Sequence, residues 1–185
     1  MKLVLASSSP RRIELMRFLK VKFEVRIPLN VNESKVRKVP EDVEELAYMK
    51  ARSVMKSVDD VIIGADTVVV IDGEILGKPR DEMDARRMLY KLSDRWHEVY
   101  TGVCIMGNEW VERFNVRTSV KFAELSEKLV DFYLRTGEYR DKAGAYGIQE
   151  FGALLVERIE GDFYNVVGFP LRRIWEVLER RGIWA

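Results

Sequence analysis

The chain has 185 residues, 47% of them hydrophobic, with 31 Lys or Arg set against 30 Asp or Glu and a single cysteine. A net charge of +1 excludes a dedicated surface for nucleic acid or anionic lipid, because both need a marked excess of positive charge. One cysteine excludes an intrachain disulfide, and no apolar run approaches the ~18 residues that a membrane-spanning helix needs.

This length suits one large domain or two small lobes, and the organisation expected is a single domain over residues 1–185. Charged residues make up 33% with the signs nearly balanced, the habit of a surface rich in ion pairs. The apolar start, residues 1–6, is too short for a secretory core and is soon followed by Pro10-Arg11-Arg12. A cytoplasmic protein is therefore expected.

In chain order, residues 3–6 predict a short buried strand. Ser7-Ser8-Ser9 leads into Pro10, a favourable first helical residue behind a serine N-cap. The helix should run to about Lys20 and bury Ile13, Met16 and Leu19. Arg11 and Arg12 fall in its first turn, where the helix dipole disfavours cations. Unpaired backbone N–H groups, serine hydroxyls including Ser8, and two guanidiniums at one place describe a phosphate site; a capped helix with two solvated arginines is the alternative.

Residues 23–27 read as a second strand, and residues 28–40 as a polar loop carrying Glu33, whose default is a solvated glutamate. Residues 41–58 read as an amphipathic helix with Val43, Leu46, Ala47, Ala51, Val54, Met55 and Val58 inward. Lys50 lies inside that apolar stripe. It either snorkels along the helix or reaches an anion or carboxylate through the packing. On this pattern alone, Lys50→Met removes a charge from an apolar face and should stabilise the helix packing.

Residues 61–71 are apolar and β-branched on both faces, the mark of a strand buried on two sides, with Asp66 in the middle. An ionised Asp there is costly unless a cation, a metal or several donors receive it. Gly64 and Ala65 leave room for close approach to the backbone. Asp72-Gly73 signals a two-residue hairpin into residues 74–76. Residues 77–80 form a tight exit that presents Lys78, and Asp81 caps a helix reaching Leu92.

Residues 96–106 and 110–122 are strands around Gly107-Asn108. His97, the one histidine, has no companions for a metal site and takes a structural role. Ser126 caps a helix ended by Gly137, with Val130, Tyr133 and Leu134 inward. Residues 144–152 form a glycine-punctuated loop in which Gln149 offers an amide able to read a base edge. A strand over 154–159, a loop over 161–170 and a closing helix over 171–181 with Ile174, Trp175 and Leu178 inward complete the chain. The fold class expected is α/β, a mixed β-sheet flanked by helices in two lobes with a central cleft.

These segments resemble the Maf family of nucleoside triphosphate pyrophosphatases. The resemblance rests on Ala6-Ser7-Ser8-Ser9-Pro10-Arg11-Arg12, on Glu33, on Leu46-Ala47-Tyr48-Met49-Lys50-Ala51, on Gly64-Ala65-Asp66-Thr67 and on Gly77-Lys78-Pro79. It continues through the His-x-Val-x-Thr-Gly-Val pattern over residues 97–103, the Ala-Gly-x-Tyr-Gly-Ile-Gln pattern over 143–149 and the Tyr-Asn-Val-Val-Gly-x-Pro pattern over 164–170. Two departures stand out. Asp94 occupies a position where the family has glycine, and Asn30 and Asn32 flank Glu33 where acidic or apolar residues are commoner.

The resemblance implies a Maf/ITPase-like fold and hydrolysis of a nucleoside triphosphate between its α and β phosphates. Arg11, Thr67 and Gln149 match the branch that acts on dTTP and UTP. It implies catalytic roles for Asp66, Lys50 and Glu33, with Asp66 as the base, and substrate binding by Ser8, Arg11, Arg12, Thr67, Lys78 and Gln149. A divalent cation, Mg²⁺ or Mn²⁺, is expected on Asp66 and Glu33. The partner expected is a small-molecule nucleotide, with no nucleic acid and no membrane; a homodimer stays open. The rival readings are a non-catalytic nucleotide-binding regulator of cell division and septum formation, and a broader house-cleaning enzyme acting on modified pyrimidine nucleotides.

Overall fold

The computed structural model describes residues 1–29, 31 and 36–183. In chain order these form β1 (Lys2–Ala6), α1 (Pro10–Phe18), β2 (Glu24–Arg26), α2 (Glu41–Ser53), β3 (Asp60–Ile71), β4 (Glu74–Leu76) and α3 (Glu82–Leu92). Then come β5 (Trp96–Met106), β6 (Val111–Phe122), α4 (Glu127–Thr136), β7 (Val156–Glu160), α5 (Phe163–Val167) and α6 (Leu171–Arg180). The strands make one sheet in the order β2-β1-β3-β5-β6-β7, with β4 beside β3. β1 is parallel to β2 and β3, whereas β4 on β3 and β7 on β6 are antiparallel. The sheet is mixed and the fold α/β, as the alternation of strand and helix patterns predicts.

By contact density the chain divides into two compact units. The first holds Met1–Asp66, Thr101–Val116 and Gly168–Ala185; the second holds Thr67–Tyr100 and Arg117–Val167. The divisions fall inside β3, β5 and β6.

In the first unit, Ala47 and Ala51 of α2 and Val54 just beyond it pack against Val4, Ala6, Ile62, Cys104 and Met106 of the sheet. Burial pushes the Cys104 thiol up to about 12, in keeping with an inert core residue. Two glycines set how close the helix lies. A Cβ on Gly64 would stand 2.3 Å from the Ala47 carbonyl oxygen, and one on Gly102 would stand 2.5 Å from Val43 backbone. The room beside Gly64 is therefore taken by α2 itself.

In the second unit, α3 and α4 bury Met88, Leu89, Leu92, Val130, Tyr133 and Leu134 against Val69, Ile71, Val99, Val120 and Phe122. Their N-caps are those expected, Asp81 accepting from Asp84 N–H at 2.7 Å and Ser126 from Leu129 N–H at 3.3 Å. Among the described residues, no helix is long and apolar enough to cross a membrane.

Several local expectations need correction. α1 stops at Phe18, Leu15 joins Met16 and Leu19 inside, and Ser9 occupies the N-cap position without a side-chain cap bond. Val177 is buried in α6 while Trp175 is half-buried under the Arg172 guanidinium. Residues 163–167 are helical because Asn165, fully buried, donates to Val99 O at 3.1 Å and to Thr118 Oγ1 at 3.0 Å, tying the segment down. Asp94 has φ 53°, a left-handed conformation that favours glycine, and its carboxylate partners Lys121.

α2 ends at Ser53, five residues before the expected Val58, which is exposed. The cause is Asp60. Its carboxylate accepts the N–H groups of Lys56 and Ser57 at 3.0 and 3.1 Å and takes Arg26 Nη1 at 2.5 Å, while the same nitrogen donates to Val54 O. That network turns the chain out of α2 and into β3.

Arg26, ahead of the two backbone N–H groups, holds the Asp60 carboxyl down to about 2. A depressed carboxylate contributes stability that is present above its unfolded value of about 3.9 and is lost as pH falls through the folded value. Asp60→Asn should cost about 3 kcal/mol at neutral pH, because Arg26 keeps the half-exposed Glu24 but loses its buried anionic partner. Urea unfolding at several pH values checks this. The gap between wild type and variant should close as the medium is acidified from about pH 4 towards 2; a gap that ignores pH would show that Asp60 is not ionised in the fold.

Candidate active site

Side chains on a strand alternate, so Asp66 projects to the same side of β3 as Gly64, the side that α2 covers. Lys50 follows Ala47 by three residues, on the same helix face. Because Gly64 lets the Ala47 and Ala51 backbone press against the strand, Lys50 arrives at Asp66. Its Nζ donates to Oδ1 at 2.6 Å, with Lys50 7% exposed and Asp66 8%. Snorkelling is excluded, and the lysine in the apolar stripe serves the carboxylate.

At the start of α1, Arg11 and Arg12 are half-buried in a first turn that holds no acidic residue, and Ser8 is exposed. Arg12 is more than a surface cation. Its Nε donates to Gly168 O and its Nη1 to Ala65 O, both at 2.8 Å. It thus braces the helix start against the residue that immediately precedes Asp66. The charge pattern of the sequence carries no sign of this bracing. Glu33 lies outside the described residues.

The remaining candidates belong to the second unit. Thr67 follows Asp66 and is half-buried. Lys78 is exposed on the turn before α3. Asp84, which the sequence reading passed over, fixes that turn. It accepts Arg80 N–H at 3.1 Å and Arg87 Nη2 at 2.9 Å, and the Arg80 N–H chiefly holds its carboxyl down to about 2. Gly144 N–H donates to Gly77 O at 3.0 Å, joining the Lys78 turn to the loop that carries Gln149. Gln149 is half-buried.

The glycines of that loop answer to internal packing rather than to ligand approach. A Cβ on Gly144 would meet Val69 at 2.8 Å, and one on Gly152 would overlap Gly147 O. His97 is buried with Nε2 2.8 Å from the Tyr146 hydroxyl, the structural place expected of it. A cavity of about 390 Å³ in this unit is lined by Val70, Trp96, His97, Glu98, Arg117 and Ser119, among others. None of the candidate nucleotide-binding residues lines it, so its size does not make it the site.

Among the described residues, no three His, Cys, Asp or Glu side chains converge as a metal cage. Asp66 offers one carboxylate. That donor set fits a hard cation carried in on a polyphosphate, which needs only one or two protein carboxylates beside phosphate oxygens and water.

The ion pair reverses the stability expectation for Lys50→Met. Removing one partner of a buried pair leaves the other charge uncompensated, so the variant should lose about 3 kcal/mol at neutral pH. Adding Asp66→Asn to it should recover most of that loss. Denaturant melts of the two single variants and the double variant check the coupling; additive losses would show that the two groups do not interact.

A family model described as Maf-like protein matches residues 2–181. A dTTP/UTP pyrophosphatase of Thermosipho africanus is 53% identical over 184 residues, covering 99% of this chain and 95% of the relative. Another of Thermococcus onnurineus is 54% identical over 179 residues, 96% of each. A HAM1 protein from Coxiella burnetii superposes with a TM-score of 0.56 at 18% identity, covering 97% of this chain and 99% of that one, a likeness of fold. With a family match across almost its whole length and relatives identical at half their positions, this chain belongs to the Maf family.

Proposed function

We propose that the chain hydrolyses dTTP and UTP at the α–β phosphoanhydride, releasing the nucleoside monophosphate and pyrophosphate. Full-length relatives that bear the name dTTP/UTP pyrophosphatase support the substrate. The observation that carries the chemistry is the buried Lys50–Asp66 pair at 2.6 Å. It keeps a charged carboxylate oriented on a rigid strand, with one oxygen committed to the ammonium.

Phosphoanhydride hydrolysis asks for neutralised phosphate charge, an oriented water and an acceptor for its proton. Asp66 takes the proton through Oδ2. Lys50 fixes the carboxylate and compensates its charge. Arg11 and Lys78 supply positive charge to the phosphates, with Ser8 and Thr67 hydroxyls as further donors and acceptors. Arg12 adds its positive charge, and its larger part is to set the start of α1. Glu33 joins the set on the sequence pattern.

Mg²⁺ or Mn²⁺ entering with the triphosphate would be held by Glu33 and by Asp66, where ligation competes with the proton-accepting role for the same lone pairs, and would neutralise phosphate oxygens. The Gln149 carboxamide presents C=O and NH₂ in the order complementary to N3–H and carbonyl of uracil or thymine. Losing such a buried pair costs about 1–3 kcal/mol, roughly 10- to 100-fold in selectivity. We place the reaction in the cytoplasm and treat residues 1–185 as one functional domain.

Pyrophosphate release from UTP with Mg²⁺ tests the activity, and a binding-only regulator would release none. Asp66→Asn should lower turnover at least about 100-fold, the usual worth of a positioned base, with the circular dichroism spectrum unchanged. Near-normal turnover in that variant would remove Asp66 from the chemistry.

A further inference from the structure

We propose that Tyr146 and His97 are positioning residues for pyrimidine selectivity, bolting the loop that carries Gln149 to the core of the second unit. This rests on the reading that Gln149 recognises the base.

The loop does not hold its shape unaided. Gly144 and Ala145 are consecutive residues in the left-handed region, at φ 67° and 62°. Such a conformation is unfavourable at a non-glycine residue and persists only where tertiary contacts enforce it. Those contacts are specific. Gly144 seats on Val69 and its N–H bonds Gly77 O. Gly147 N–H donates to the Tyr133 hydroxyl at 3.2 Å.

Between them Tyr146 inserts into the core. Its ring meets Phe122 edge-on at 4.7 Å and His97 at 5.4 Å, and His97 in turn meets Phe122 at 5.0 Å. Its hydroxyl ends on His97 Nε2 at 2.8 Å. A buried hydroxyl without a partner is costly, so this bond decides how deep the ring can sit. Burial pushes His97 down to about 4 and the Tyr146 hydroxyl up, so both stay neutral around neutral pH and the bond persists there.

Gln149 stands three residues beyond Tyr146, about 10 Å of extended chain at most. Recognition by hydrogen bonds tolerates displacements of only about 0.5 Å. A loosened Tyr146 therefore moves the carboxamide out of register with the base. Asp66 and Lys50 share none of these contacts.

The test is Tyr146→Phe, which removes one oxygen, beside His97→Leu, His97→Gln and Gln149→Ala, with kcat and KM measured for UTP and CTP. Tyr146→Phe and His97→Leu should cut the UTP over CTP preference about tenfold through KM for UTP, a bond-sized loss, with kcat kept within about twofold. His97→Gln, which can place a nitrogen near the Nε2 position, should restore part of the preference. Unchanged selectivity in Tyr146→Phe, with only the melting temperature lowered, overturns the proposal. Gln149→Ala separates the two readings. If it flattens the preference while Tyr146→Phe does not, only the positioning role fails. If it keeps the preference while Tyr146→Phe loses it, the bolt stands and Gln149 is not the group that reads the base.

Discussion

A carboxylate and an ammonium buried together between a helix and a strand organise this protein. The Lys50–Asp66 pair exists because α2 lies flush on the sheet, and α2 lies flush because Gly64 and Gly102 present no side chains beneath it. A methyl group at either glycine would lift the helix and draw the ammonium from its partner. The polar core of the site thus depends on two positions that carry no chemistry themselves.

Three buried aspartates show how differently the same group can be held. Asp60 is met by a guanidinium and two backbone N–H groups, and Asp84 by a backbone N–H and two arginines; both carboxyls sit near 2. They lock turns, one into β3 and one into α3. Among the described residues, Asp66 has a single hydrogen-bond donor, Lys50. A carboxylate saturated by donors is structural. One held at a single oxygen keeps capacity for water or a cation, and that difference in satisfaction sets Asp66 apart from its neighbours on physical grounds.

The elements that periodicity and capping residues mark were legible beforehand: the doubly buried strand over residues 60–71, the Asp72-Gly73 hairpin, and the helices begun by Asp81 and Ser126. Lys50 and Asp66 were each visible as a charge in an apolar pattern. What could not be read is whatever depends on long-range pairing. The early stop of α2 needs Arg26 to meet Asp60, thirty-four residues away in sequence. The bracing role of Arg12 needs the Gly168 and Ala65 carbonyls, which no pattern announces. α5 forms around Asn165, whose partners lie on β5 and β6. The glycines of the 144–152 loop suggested room for a ligand, but Val69 and the loop's own backbone fill it. Local signals specify local structure, and side chains that tie distant segments together leave no periodic trace.

In the proposed reaction the Asp66 carboxylate, tethered by Lys50, faces the bond that is cleaved. A crystal structure with Mn²⁺ and a UTP analogue carrying a non-hydrolysable α–β bridge tests it most directly. The phosphorus attacked, next to that bridge, should lie within one water of the free oxygen of Asp66, with Lys50 still on the other oxygen. A triphosphate seated away from residue 66 would contradict it.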